Sequence, residues 1–128
     1  MQQSLFRAAS PDFDVTDFAI RHEIDANDVW VMGAGSSRGP RPDSGFCLLV
    51  ADSEQFAEHQ KELDEFLSDF EEAILELRRL KIPCRIDCGL TVGGERHFTR
   101  SFALSPKLMS KLGELGVEFV VSAYPCSG

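Results

Sequence analysis

The stretch Phe102-Ala-Leu-Ser-Pro106, followed by Leu108, Met109, Leu112 and Leu115 and then by Gly116-Val-Glu-Phe-Val-Val-Ser-Ala-Tyr124, decides the fold class. It spells strand, capped helix, stop, strand. Ser105 can accept from a free N–H of the first helical turn, and Pro106 suits the first helical position because its missing donor has no helical partner there. Gly116 stands where a helix ends in the left-handed conformation. The leucines between these marks recur at helical steps, so one face of the 107–115 helix is apolar.

Working outward, Ile82 to Val92 reads as a strand, Gly93-Gly94 as a turn, and His97 to Leu104 as a second hairpin arm. Upstream, Phe56, Leu63, Phe66, Leu67, Phe70, Ile74 and Leu77 describe the apolar face of one long helix. It opens at Asp52 or Ser53 and ends near Leu80, with His59-Gln60 as a point where it could break. Arg78, Arg79 and Lys81 gather at its C-terminus, where the helix dipole favours cations. Val29–Met32 and Phe46–Ala51 read as strands that could pair as a hairpin around an open loop, 33–45. That loop holds too many glycines and prolines for a regular element. At the start, Ser4–Ser10 reads as a strand, and Asp14 caps a short helix faced by Val15, Phe18 and Ala19.

The element order is therefore βαββαββαβ, which implies one α+β domain over residues 1–128: a two-layer sandwich, its sheet largely antiparallel, with the helices on one face. The core is expected to join Phe66, Phe70, Ile74 and Leu77 to Ile86, Phe119 and Val121, with Leu108, Leu112 and Leu115 alongside. The two ends of the chain rhyme as strand, Ser-Pro, short helix and strand, a pattern of an internal pseudo-repeat. The order of strands within the sheet is not legible.

With 128 residues, 43% of them hydrophobic, the chain suits one domain with one core. No apolar run is long enough to span a membrane, and Met1-Gln-Gln-Ser-Leu-Phe-Arg7 lacks the order of a signal peptide, so a cytoplasmic location is expected. The net charge is −8, from 21 acids and 13 bases. Nucleic-acid binders neutralise phosphates with Lys and Arg, so that class is disfavoured, whereas a basic protein partner is suited.

Candidate chemistry is sparse. Gly33-Ala-Gly35 follows a strand, but Pro40 and Pro42 come where a phosphate-binding turn needs a helix N-terminus, and no Gly-Lys-Ser/Thr occurs. Cys84 and Cys88 stand about 13 Å apart along a strand, too far for one zinc ion. With Cys47 and Cys126 they read as free thiols, and neither metal nor cofactor is expected. His22, His59 and His97 lack ligand spacing, and His59, beside Glu58 and Glu62, reads as a surface residue. No nucleophile elbow is present. Trp30 is either core or an aromatic anchor for a partner. The expectation is of a binding protein and not an enzyme.

Phe6…Asp14-x-x-x-Phe18…Ile24, Trp30-x-x-Gly33, Ser44-Gly45-Phe46 and Phe102-x-Leu-Ser-x-x-Leu108…Leu112…Leu115-Gly-Val-x-Phe119…Ser122-x-Tyr124 together resemble a family of small bacterial proteins, domain of unknown function 4279. The chain departs from that pattern at Ala26-Asn-Asp28, where a proline is expected. Some relatives resemble immunity proteins, which neutralise toxins of neighbouring bacteria, and that role implies binding without catalysis. An inhibitor of a basic toxin would use Glu58, Glu62, Glu65, Asp69 and Glu72 on the long helix, with Arg38 and Arg41 on the loop. The alternative is a small-molecule site or an enzyme of unrecognised type between the loop and the 93–97 turn, using Arg38, Arg41, Arg96 and His97.

Overall fold

The organising strand is β1 (Gln2–Ser10): Gln2, Ser4, Phe6 and Ala8 are buried, while Gln3, Leu5 and Arg7 face out. A period of two is what a sheet with one covered face demands. The computed structural model of the chain describes residues 1–94 and 99–126. After β1 come α1 (Val15–Arg21), a 3-10 turn (Ala26–Asp28), β2 (Val29–Trp30), β3 (Gly35–Ser36), β4 (Gly39–Pro40) and β5 (Ser44–Ala51). Then follow α2 (Phe56–Asp69), α3 (Glu71–Arg79), β6 (Cys84–Val92), α4 (Pro106–Leu115) and β7 (Val117–Pro125).

The main sheet has the order β2-β5-β1-β6-β7. Its centre, β1, runs antiparallel to both β5 and β6, and β2 adds a short antiparallel edge through Val29↔Phe46 and Trp30↔Gly45. Among the described strands only β6 and β7 are parallel, because α4 carries the chain back between them. The architecture is α+β, a mixed and mostly antiparallel sheet with helices packed on one face. The α4 signals act as read: the Ser105 hydroxyl accepts from the Leu108 N–H at 3.1 Å, Pro106 opens the helix, and Gly116 closes it at φ 71°.

The core lies between the helices and the inner sheet face. Phe6, Phe18, Phe46, Leu67, Ile74, Leu77 and Ile86 are fully buried there, and Leu108, Leu112 and Leu115 of α4 join them. Phe66, Phe70 and Phe119 are partly buried against this cluster. Rings meet tilted or offset, Phe6 with Phe66 at 5.2 Å and Phe18 with Phe46 at 5.6 Å. Val121, expected in this core, is 49% exposed. No helix among the described residues is long and apolar enough to cross a membrane.

Several sequence expectations need correction. The long helix is two helices, broken at Phe70 (φ −105°, ψ 11°), with His59 and Gln60 inside α2. Phe70 turns its ring onto Phe66, at 5.2 Å, and toward Phe6 and Phe46, so core packing fixes the bend. The helix also starts at Phe56, because Ser53 is already spent: its carbonyl accepts from Gln2 and His59, and its N–H donates to Glu62.

The hairpin arm over 97–104 is not formed by the described residues 99–104. β6 is already paired on both edges, by β1 and β7, so no ladder is free for it. The segment is pinned instead by Arg100, which donates to the Met1 and Thr91 carbonyls, and by Phe102, which packs on Phe56 at 5.3 Å and Phe119 at 5.6 Å. With no strand among the described residues 99–104, the second half of the pseudo-repeat lacks its opening strand there.

The 33–45 loop is more regular than its composition suggests. Gly35↔Pro40 and Ser36↔Gly39 form a small hairpin, extended by Gly33 N–H to the Arg41 carbonyl (2.8 Å) and Arg41 N–H to the Ala34 carbonyl (2.9 Å). Positive φ at Gly33 (88°) and Gly39 (99°) makes those tight reversals open to glycine.

Candidate functional site

Of the acidic residues expected to meet a partner, Glu58, Glu65, Asp69 and Glu72 are exposed on α2 and α3. None of these four has a hydrogen-bond or ion-pair partner among the described residues. Glu62 differs: half-buried, it accepts from the Ser53 N–H at 3.0 Å and so holds the start of α2. Neighbouring Asp64 pairs with Lys111 at 3.0 Å. Arg38 is exposed at the tip of the β3–β4 hairpin, whereas Arg41 folds back over Trp30.

The loop and the Gly93-Gly94 turn stand at opposite ends of β1, since Ser10 pairs with Ser44 while Gln2 pairs with Leu90. Eight residues of strand put those ends about 27 Å apart. Arg96 and His97 lie outside the described residues. The described part of the alternative set therefore reduces to the loop arginines.

What the structure adds is the outer sheet face, which no helix among the described residues covers. Across it the register sets Cys47, Arg7, Arg85 and Glu118 in one row and Leu49, Leu5, Asp87 and Val120 in the next. Trp30 lies at its β2 edge, above Gly45, where any Cβ would come within 2.8 Å of the indole. The indole N–H donates to Asp43 at 2.9 Å, which fixes the ring. Two guanidiniums stack on that ring, Arg7 at 4.7 Å and Arg41 at 5.3 Å from its centroid. A shallow concavity of about 510 Å³ opens beside them, lined by Leu5, Arg7, Ala9, Cys47, Pro83 and Arg85 among others.

Arg7, Arg85 and Cys47 were missed as site residues because nothing local in the sequence joins them. The available signal was alternation: Leu5 and Arg7 between buried Ser4, Phe6 and Ala8, and Arg85 and Asp87 between buried Cys84, Ile86 and Cys88. Trp30, read as either core or anchor, is half-buried on this face.

A second cluster is internal. Ser4, on β1 opposite Cys88 on β6, lies 2.7 Å from His59 Nε2, and His59 Nδ1 lies 2.9 Å from the Ser53 carbonyl oxygen. A carbonyl only accepts, so Nδ1 carries a proton; in the neutral ring Nε2 then accepts from the Ser4 hydroxyl. The surface reading of His59 is thus overturned: its side chain is wholly buried. Ser4 and His59 have the makings of a nucleophile–base pair, but both are fully buried, as is Cys88 beside Ser4.

Cys47, Cys84 and Cys88 are not activated. Burial pushes Cys84 up to about 12, and raises Cys88 and Cys47 against the opposing pull of the Ser4 hydroxyl and of Arg7. A thiol acts as a nucleophile through its thiolate, so these shifts quench reactivity near neutral pH. All four cysteines are free, and no group of three or more His, Cys, Asp or Glu side chains among the described residues is placed to hold a metal.

Comparison with curated proteins and with solved structures finds no match. A family model, described as Domain of unknown function (DUF4279), matches residues 3–125. That span takes in all but the first residue of β1 and every later strand and helix described above, and on it the chain belongs to the DUF4279 family.

Proposed function

We propose that this protein is a non-catalytic binding protein for a basic protein partner, and that an immunity-type inhibitor of a basic toxin, acting in the cytoplasm of a bacterium, is the role it fits. The observation that carries the reading is the run of exposed carboxylates without partners among the described residues, Glu58, Glu65, Asp69 and Glu72, on a chain of net charge −8. Unpaired surface charge of one sign steers a partner of the other sign and speeds its docking. The raised thiols and the sealed Ser4–His59 pair are consistent with binding in place of chemistry.

Charge reversal tests it. A Glu58→Lys/Glu65→Lys/Asp69→Lys/Glu72→Lys variant should associate with the partner at least tenfold more slowly at low salt. Its deficit should shrink as salt rises, since screening removes the steering term. Equal association by the variant and the parent chain across that salt range would overturn the reading.

A further inference from the structure

We propose that the open face of the sheet binds a small monocarboxylate with a flat apolar body, its carboxylate held by Arg7 with Arg41 and Arg85 at the flanks. The inference is independent of the acidic helices, which lie in the layer on the opposite side of the sheet.

The starting point is a like-charge pair. Arg7 and Arg85 sit directly opposite each other on antiparallel strands, an arrangement that destabilises a sheet unless something offsets it. Arg85 has Glu118 at 3.6 Å. Arg7 has no carboxylate partner among the described residues and lies on Trp30 instead, sharing the indole with a second cation, Arg41. An anion supplied from outside relieves both repulsions at once.

The site is also preorganised. Asp43 and the bare backbone of Gly45 fix the indole, and the indole fixes the Arg7 fork, so little side-chain freedom is left to lose on binding. A planar guanidinium presents parallel N–H donors that match the two oxygens of a carboxylate. The concavity of about 510 Å³ is of small-ligand size, and Leu5, Ala9 and Pro83 give it apolar lining for the rest of the molecule.

Charge selects a monoanion. Arg7, Arg41 and Arg85 have Asp43, Asp87 and Glu118 around them, with Asp28 acting on Cys47 besides, and the chain as a whole is at −8. On so balanced a face each further negative charge of a ligand meets more repulsion, so a single carboxylate is favoured over a phosphate monoester at about −1.5 to −2.

Trp30 is the only tryptophan, so its fluorescence reports on this face alone. Titration with benzoate at constant ionic strength should give a saturable change, with acetate weaker and inorganic phosphate weaker still. Arg7→Gln should weaken benzoate at least tenfold, and Arg7→Lys should not restore it because an ammonium lacks the fork. Since Arg7 touches the reporter, Arg85→Gln provides the second variant: it is not stacked on the indole and should weaken benzoate severalfold. Lys107→Gln, on α4, should leave the curve unchanged. Absence of a saturable benzoate signal, unaltered affinity in both arginine variants, or phosphate binding more tightly than benzoate would each overturn the proposal.

Discussion

His59 stands on a helix lined with glutamates, and its place is decided by a residue 55 positions away, the Ser4 hydroxyl. A buried imidazole left with one nitrogen unpaired loses the full desolvation cost of that group, about 1–3 kcal/mol. Ser4→Ala should therefore lower the unfolding free energy by about that amount, read from the denaturant midpoint at unchanged slope; an unchanged midpoint would show that Nε2 finds another donor. Thiol labelling gives a second residue-scale check. Cys126 is exposed, Cys47 is half-buried with its thiol raised, and Cys84 and Cys88 are buried. Ellman's reagent at pH 8 should titrate Cys126 first, Cys47 more slowly, and Cys84 and Cys88 only after denaturant is added. A fast phase of more than two thiols would mean that the inner face of β6 opens readily.

At the scale of elements, what the sequence discloses is whatever local chemistry controls. Ser105, Pro106 and Gly116 delimit α4 with backbone geometry that each residue type prefers on its own, and the structure matches the reading. The break at Phe70 was hidden because both helices present apolar residues at compatible steps, and only the rings of Phe6, Phe46 and Phe66 reveal why the chain bends there. The missing strand at 99–104 was hidden for a different reason: a ladder needs a free edge, and whether β6 has one depends on β1 and β7. The open-face residues were illegible on the same ground, since Arg7 meets Arg85 only through register. Gly45 tests the register on the other side of β1, where β5 meets β1 and β2. A Cβ there would lie 2.6 Å from the Ala9 Cβ and 2.8 Å from Trp30, with the Ala8 carbonyl oxygen closer still. Backbone cannot yield as a side-chain tip can, so Gly45→Ala should cost about 1–3 kcal/mol and shift the Trp30 emission, as overpacking does. A neutral result with unchanged emission would place Trp30 away from β5.

At the scale of the whole molecule, the two layers carry different chemistry: the helices present carboxylates, and the bare sheet face presents guanidiniums on an indole. The helix layer is itself tied together by charge. Arg21 of α1 grips Glu76 of α3 through two bonds, at 2.6 and 2.9 Å, with His22 3.4 Å from the same carboxylate. The Arg21 hydrogen bonds hold the Glu76 carboxyl below its usual value of 4.5, against the opposing effect of burial. The sign follows from linkage. A carboxyl whose value is depressed on folding contributes stability that is fully present above the unfolded value, and loses it as pH falls through the folded one. Acidification from about pH 5 to pH 3 should therefore lower the melting temperature of the native chain more than that of Glu76→Gln, which has no such proton to take up. The two curves should stand a few degrees apart at pH 7 and converge at the acid end. Arg21 is 45% exposed and Glu76 18%, so water and salt share the interaction, and a gap of many degrees is not expected. Parallel curves from pH 7 to pH 3 would mean that Glu76 gives the fold no more as an anion than as a neutral amide.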